Sequence, residues 1–191
     1  MVLSRYQDIL EPALRNTISD RSSFVYDMLR YCMGWSDVTG KPSDSEKGKG
    51  IRPSLCLFTC DALGGDVQKA IPAAVSLELI HNFSLIHDEI QDFDEIRHHR
   101  PTLWTVWGVP KALVAGNVMR VLAEKSMSRL VSSDPKLISH SSSIVSQSIH
   151  DEGVGPKATT EDFSKRLSFI ELRIFQCSTG SINAVDITQG A

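Results

Sequence analysis

LIHNFSLIHDEIQD, Leu79 to Asp92, is the stretch on which the reading of this chain turns. A strongly apolar run ends in Asp88, Glu89 and Asp92 and encloses His81 and His87. Glu78, His81, Leu85, Asp88 and Asp92 recur at steps of three or four, which puts them on one face of a helix. Asp88 and Asp92 stand one turn apart, about 6 Å between Cβ atoms. They also sit at the C-terminal end of that helix, where the backbone dipole disfavours negative charge. Two carboxylates there repel each other and cost stability unless a cation offsets them. Hard oxygen ligands presented as a pair suit Mg2+, which keeps several waters and is usually completed by phosphate oxygens. The stretch therefore reads as a metal-bridged diphosphate site. The plainer alternative is a solvated helix end that runs into the acidic loop Phe93 to Ile96.

Working outward, the pattern is helical almost throughout. The long apolar helix is expected from Val67 to about Asp92, with Pro72 near its start. Pro53 to Leu63 reads as a helix opened by proline in its first turn and closed by Gly64 and Gly65. The loop before it, GKGIRP, brings Lys49 and Arg52 to a helix start, where cations and free N–H groups together cradle an anion; a basic solvated loop is the alternative. Past the acids, RHHRPT offers Arg97 and Arg100 as fork-shaped phosphate donors. Val2 to Ile18 is an amphipathic helix that Pro12 should kink or divide, and Ser22 to Trp35 a helix capped by Ser22 or Ser23. Asp37 to Gly50 is a polar loop rich in Gly, Pro and Ser. A short element is expected over Pro101 to Trp107, then an amphipathic helix over Pro110 to Val131. Ser132 to Pro156 is serine-rich with a weak helical stretch near Ile144, and Thr160 to about Ile187 is a last helix. No alternation is long enough for a strand. These features predict one all-α domain over residues 1–191, with about seven or eight helices.

Composition narrows the partners. A chain of 191 residues, 41% hydrophobic and 23% charged, can bury one sizeable core. Its net charge of -3 gives no nucleic-acid footprint. No apolar run reaches the ~18 residues that span a bilayer, and the N-terminal segment lacks a signal-peptide core, so the cytoplasm is the expected location. Cys56 and Cys60, four apart in an apolar stretch, read as buried free thiols; Cys32 and Cys177 are scattered.

In chain order there is a cationic loop, a helix, a His-bearing helix, acids, an arginine, Pro-Thr, and then GVPKALVAGN. This series resembles the trans-isoprenyl diphosphate synthases, the polyprenyl synthetase family, with its Gly-Lys-x-x-Arg-Pro loop, first aspartate-rich motif and Gly-x-x-x-Ala-x-x-x-Gly-Asp run. The likeness is specific from about Gly48 to Met119. The closing AVDITQG looks like the approach to the family's Gln-Gly-Gln helix.

The resemblance implies an isoprenoid synthase-like helical bundle and a prenyltransferase that condenses an allylic diphosphate with isopentenyl diphosphate. Asp88, Glu89 and Asp92 would be Mg2+ ligands. Arg97 would hold the allylic diphosphate and, with Asp88 and Asp92, form the catalytic set. Lys49, Arg52 and His81 would hold isopentenyl diphosphate. Phe83 and Ser84 would occupy the chain-length positions, where a bulky ring gives a short product. His87, turned elsewhere on the helix, would have a hydrogen-bonded structural role. A homodimer is implied, with Val114, Val118 and Leu122 as a stripe on the helix after the acids.

The chain also departs from the family pattern. Glu89 stands for the second Asp, His98 and His99 for Arg-Gly, and Asn117 for the Asp of Gly-Asp. Asp134, Asp151, Glu152, Glu161 and Asp162 form no second aspartate-rich motif, so the bundle is read as incomplete, without the C-terminal helices. An impaired or non-condensing relative, either terpene-synthase-like or a non-catalytic partner subunit, is the alternative. A plain α-helical interaction protein leaves the ordered series unexplained.

Overall fold

The apolar run folds as one 25-residue helix, α4 (Val67–Gln91). In the computed structural model the described residues are 5–19, 22–43 and 50–130. Asp66 starts α4: its carboxylate accepts from the Gln68 N–H at 3.0 Å. Ala73, Ala74, Leu77 and Leu79 are wholly buried, and Ala70, Val75 and Ile80 nearly so. Apolar side chains cover most of its girth, so the helix belongs in a core, with one polar stripe left through Glu78, His81 and Asn82. Here α4 packs chiefly on α6 (Val109–Met127) and α3 (Ile51–Ala62), and less on α1 (Gln7–Ser19) and α5 (Leu103–Trp107). The α2 helix (Phe24–Cys32) packs on α6 and α1.

Helix ends follow from local chemistry. At the end of α3, Gly64 adopts φ 74. Its N–H bonds Asp61 O at 3.0 Å and the Gly65 N–H bonds Cys60 O at 2.8 Å, a Schellman motif. Gly34, at φ 75, closes α2 in the same way, with Trp35 N–H on Arg30 O at 2.9 Å. That is why α2 stops short of Trp35. Ser23 is the N-cap of α2 by backbone conformation, without a side-chain cap bond. Of the two expected effects of Pro12, a kink or a division, division does not occur, and α1 runs through it. Pro12 and Asp8, whose carbonyl it frees, are both exposed, so water can satisfy the missing bond.

One element was not expected. Ile96–Arg97 (β1) and Arg100–Pro101 (β2) form a minimal antiparallel ribbon. Its two-residue turn, His98 and His99, has φ 47 and 60, the left-handed pair that suits a hairpin's twist. Two residues per strand are too few to leave an alternating pattern in sequence. Among the described residues there are six α-helices, and none is long and apolar enough to cross a membrane. Cys56 and Cys60 are buried, as read. Lys49, Cys177, the start of the first helix, the stretch near Ile144, the helix from Thr160 and the closing AVDITQG lie outside the described residues.

The α4–α6 contact depends on small side chains. Ala112, Ala115 and Ala123 are fully buried. A Cβ on Gly116 would stand 2.6 Å from His87 Nε2. The His87 ring lies 4.5 Å from that of Phe83, tilted by 58°, and its buried Nε2 has no hydrogen-bond partner among the described residues. Packing is therefore what Nε2 meets in place of the expected hydrogen bond, and burial lowers the pKa of the ring. Gly116→Ala should overpack this crossing and destabilise the chain by about 1–3 kcal/mol. In urea unfolding, adding His87→Ala should recover part of that loss, a non-additivity expected of side chains in contact.

Candidate active site

A cavity of about 580 Å³ opens between α1, the end of α2, the start of α3, α4 and the ribbon. α4 contributes Glu78, His81, Asn82, Leu85 and Glu89; α3 contributes Arg52; the ribbon contributes Arg97, His98 and Arg100. Steps of three and four along α4 bring the first five to one wall. Asn82 was not singled out in the sequence, although its step of four from Glu78 was visible. Its Nδ2 donates to Glu78 O at 2.8 Å and Glu78 Oε1 at 3.3 Å. Burial raises the pKa of the Glu78 carboxyl, with the charge of Arg52 opposing.

Arg52 and His81 act as a unit. Arg52 Nη1 lies 3.1 Å from His81 Nε2. Burial, then the charges of Arg52 and Arg97, push His81 from an ordinary 6.5 down to about 4. A neutral imidazole can accept from the guanidinium through Nε2, which leaves the ring proton on Nδ1. The pair therefore carries one positive charge rather than two.

The two ribbon arginines have different jobs. Arg100 donates to Ser36 O at 2.7 Å and Tyr31 O at 3.2 Å and stacks over the Tyr31 ring at 4.1 Å. The Tyr31 hydroxyl returns a bond to Pro101 O at 2.7 Å. Arg100 thus pins the ribbon to the end of α2 and lines the cavity as well. Arg97 pairs with Glu89, Nε to Oε1 at 3.6 Å. Burial is the main influence on Glu89, raising it to about 7 against the opposing charge of Arg97.

Asp88 and Asp92 stand beside the cavity wall rather than in it. Asp88 is half-buried, and its pKa is raised by burial, then by Asp92, with Arg97 opposing. A carboxyl whose folded pKa is raised stabilises the fold below its unfolded pKa and loses that contribution as pH rises through the folded value. At neutral pH the acid end of α4 is therefore a stability cost that a cation would relieve. Among the described residues no three His, Cys, Asp or Glu side chains converge on one metal position. Phe83 and Ser84 are buried and do not line the cavity; Ser84 Oγ donates to His81 O at 2.8 Å. The expected α6 stripe is not one surface. Leu122 is core, Val118 is partly buried, and Val114 is exposed at 54%; Val121, outside that stripe, is exposed at 60%.

The depressed pKa of His81 sets a pH dependence. Its contribution to stability is complete above pH 6.5 and is lost as pH falls toward about 4. His81→Gln should remove this component, which reaches at most about 1.4 kcal/mol per pH unit. Urea unfolding of both chains across this range would show it as a shallower acid-side slope in the variant.

Comparison with known proteins identifies the family. The Polyprenyl synthetase family model matches residues 41–185. A (2E,6E)-farnesyl diphosphate synthase of Mycobacterium tuberculosis is 44% identical over 124 residues, 65% of this chain and 34% of that protein. A geranylgeranyl diphosphate synthase of the same organism is 33% identical over 129 residues, 68% of this chain and 37% of that protein. The chain thus spans about a third of the length of these relatives. A polyprenyl synthetase from Streptomyces coelicolor superposes with a TM-score of 0.69 at 26% identity, covering 95% of this chain and 58% of that one. A geranylgeranyl pyrophosphate synthetase from Geoglobus acetivorans shares the fold, with a TM-score of 0.75 at 22% identity over 96% of this chain and 62% of that one. With an isoprenyl synthase-like helical fold and a family match over most of its length, this chain belongs to the polyprenyl synthetase family.

Proposed function

We propose that the chain serves a cytoplasmic trans-prenyltransferase of isoprenoid biosynthesis, which condenses an allylic diphosphate with isopentenyl diphosphate to a short-chain product. The observation that carries this reading is the gathering of Arg52, His81 and Arg97 on one cavity, beside the paired acids Asp88 and Asp92. In the reaction the allylic carbon–oxygen bond breaks and its electron pair leaves with the diphosphate. The isopentenyl double bond attacks the allylic cation, and a proton is then lost. Arg97 holds the allylic diphosphate, while Arg52, His81 and Lys49 hold isopentenyl diphosphate. Fixed cations of this kind stabilise charge as it develops on a leaving group. Two hard carboxylates one turn apart, with Asp88 already disturbed by Asp92, suit Mg2+. Held by Asp88 and Asp92, that ion would supply charge neutralisation at the leaving diphosphate. Phe83, five residues before Asp88, would block elongation, and a homodimer would form through the exposed valines of α6.

A second reading, a relative that binds diphosphates without condensing them, is favoured by one observation. The ribbon presents His98 to the cavity, while Arg100 is committed to backbone carbonyls. Isopentenyl diphosphate then has one fixed cation fewer on this side.

Calorimetry tests the acid site. Mg2+ should bind the chain more tightly with inorganic diphosphate present than without it, and Asp92→Asn should weaken that coupling far more than Asp94→Asn. Equal Mg2+ affinity in both conditions would sink the shared site. In an intact enzyme carrying this segment, Phe83→Ala should lengthen the products with turnover largely retained. A ring that only packs would instead cost about 3–5 kcal/mol of stability and leave product length unchanged.

A further inference from the structure

The three acids at the end of α4 do not share one task. Each residue turns about 100° around a helix, so Glu89 projects away from Asp88 and toward the angle of Glu78, Asn82 and Leu85. The cavity wall shows this split: Glu89 belongs to it with those three, while Asp88 and Asp92 do not. Glu89 is only 7% exposed. A buried carboxylate needs a partner, and Arg97 is that partner, with Nε 3.6 Å from Oε1.

Arg97 in turn needs holding. Its backbone is fixed by the ribbon, which Arg100 and Tyr31 pin to the end of α2. Its long side chain is still 39% exposed and would otherwise sample many rotamers. A guanidinium has five N–H donors in a planar fork. At 3.6 Å the contact is a charge pair rather than a hydrogen bond; it draws the Nε edge of the fork toward Glu89 and leaves the Nη donors for oxygens of a phosphate. The length of the acid matters as well. An aspartate at this position would withdraw the carboxylate by roughly one carbon–carbon bond, about 1.5 Å, and break the contact.

We propose that Glu89 is a positioning residue for Arg97, orienting its guanidinium in the cavity wall toward an anionic diphosphate, and that Glu89 is not a metal ligand. This rests on the diphosphate reading of the site given above.

A double-mutant cycle on the full chain tests it, using Glu89→Gln, Arg97→Gln and the double variant. Inorganic diphosphate is titrated by calorimetry without metal and with Mg2+, and Mg2+ is titrated alone. Glu89→Gln should weaken diphosphate binding about three- to tenfold, the range of an ion-pair coupling near 1 kcal/mol. It should do nothing further once Arg97 is Gln. Glu89→Asp should behave like Glu89→Gln, and both should bind Mg2+ alone as the unaltered chain does, whereas Asp92→Asn should not. Loss of Mg2+ affinity in Glu89→Gln equal to that of Asp92→Asn would overturn the proposal, making Glu89 a ligand. So would an equal effect of Glu89→Gln with and without Arg97, or tighter diphosphate binding in Glu89→Gln. Absence of diphosphate binding by the unaltered chain would overturn both the diphosphate reading and this inference. Failure confined to the variants would overturn the inference alone.

Discussion

Everything in this structure is arranged around the burial of α4. A helix that is apolar on all faces but one has little stable surface of its own, so the helices packed on it are positioned by its needs. α6 meets it through alanines and a glycine, and α3 packs on it as well. The same helix carries the site. Its buried middle fixes the direction in which Glu78, His81 and Glu89 project, and its end sets Asp88 and Asp92 at the edge of solvent. The rigidity that the acids require thus comes from hydrocarbon packing several turns away.

Within the cavity the charges are arranged in partnerships. His81 stays neutral beside Arg52, Glu89 faces Arg97, and the raised pKa of Glu78 is opposed by the charge of Arg52. A row of isolated cations in a half-enclosed space would repel one another and be hard to fold. Pairing each with an acid or an acceptor keeps donors in place before any ligand arrives, which is the physical content of preorganisation.

Much of this was legible in the sequence because it depends on short-range rules. The extent of α4, the glycine closure of α3 and the shared helix face of Glu78, His81 and Leu85 all follow from spacing and turn chemistry. What was not legible depends on contacts far apart in the chain. Arg100 could not be seen to hold Ser36 and Tyr31, and nothing in RHHRPT distinguished its task from that of Arg97. Pro12 was expected to kink or divide α1, and its exposed setting, which lets the helix run on, was not legible. Glu89 was grouped with the aspartates because motif order follows the chain, whereas side chains follow the helix angle.

The pinning of the ribbon by Arg100 and Tyr31 has a dynamic consequence. A two-residue hairpin alone would fray freely. Tied to the carbonyls at the end of α2, it can open only by breaking those bonds, which disturbs the Gly34 turn as well. Opening of this side of the cavity is then a concerted event of two segments that are distant in sequence. The amides of the ribbon and those of Gly34 and Trp35 would exchange with solvent as one cooperative unit, with a common free energy of opening.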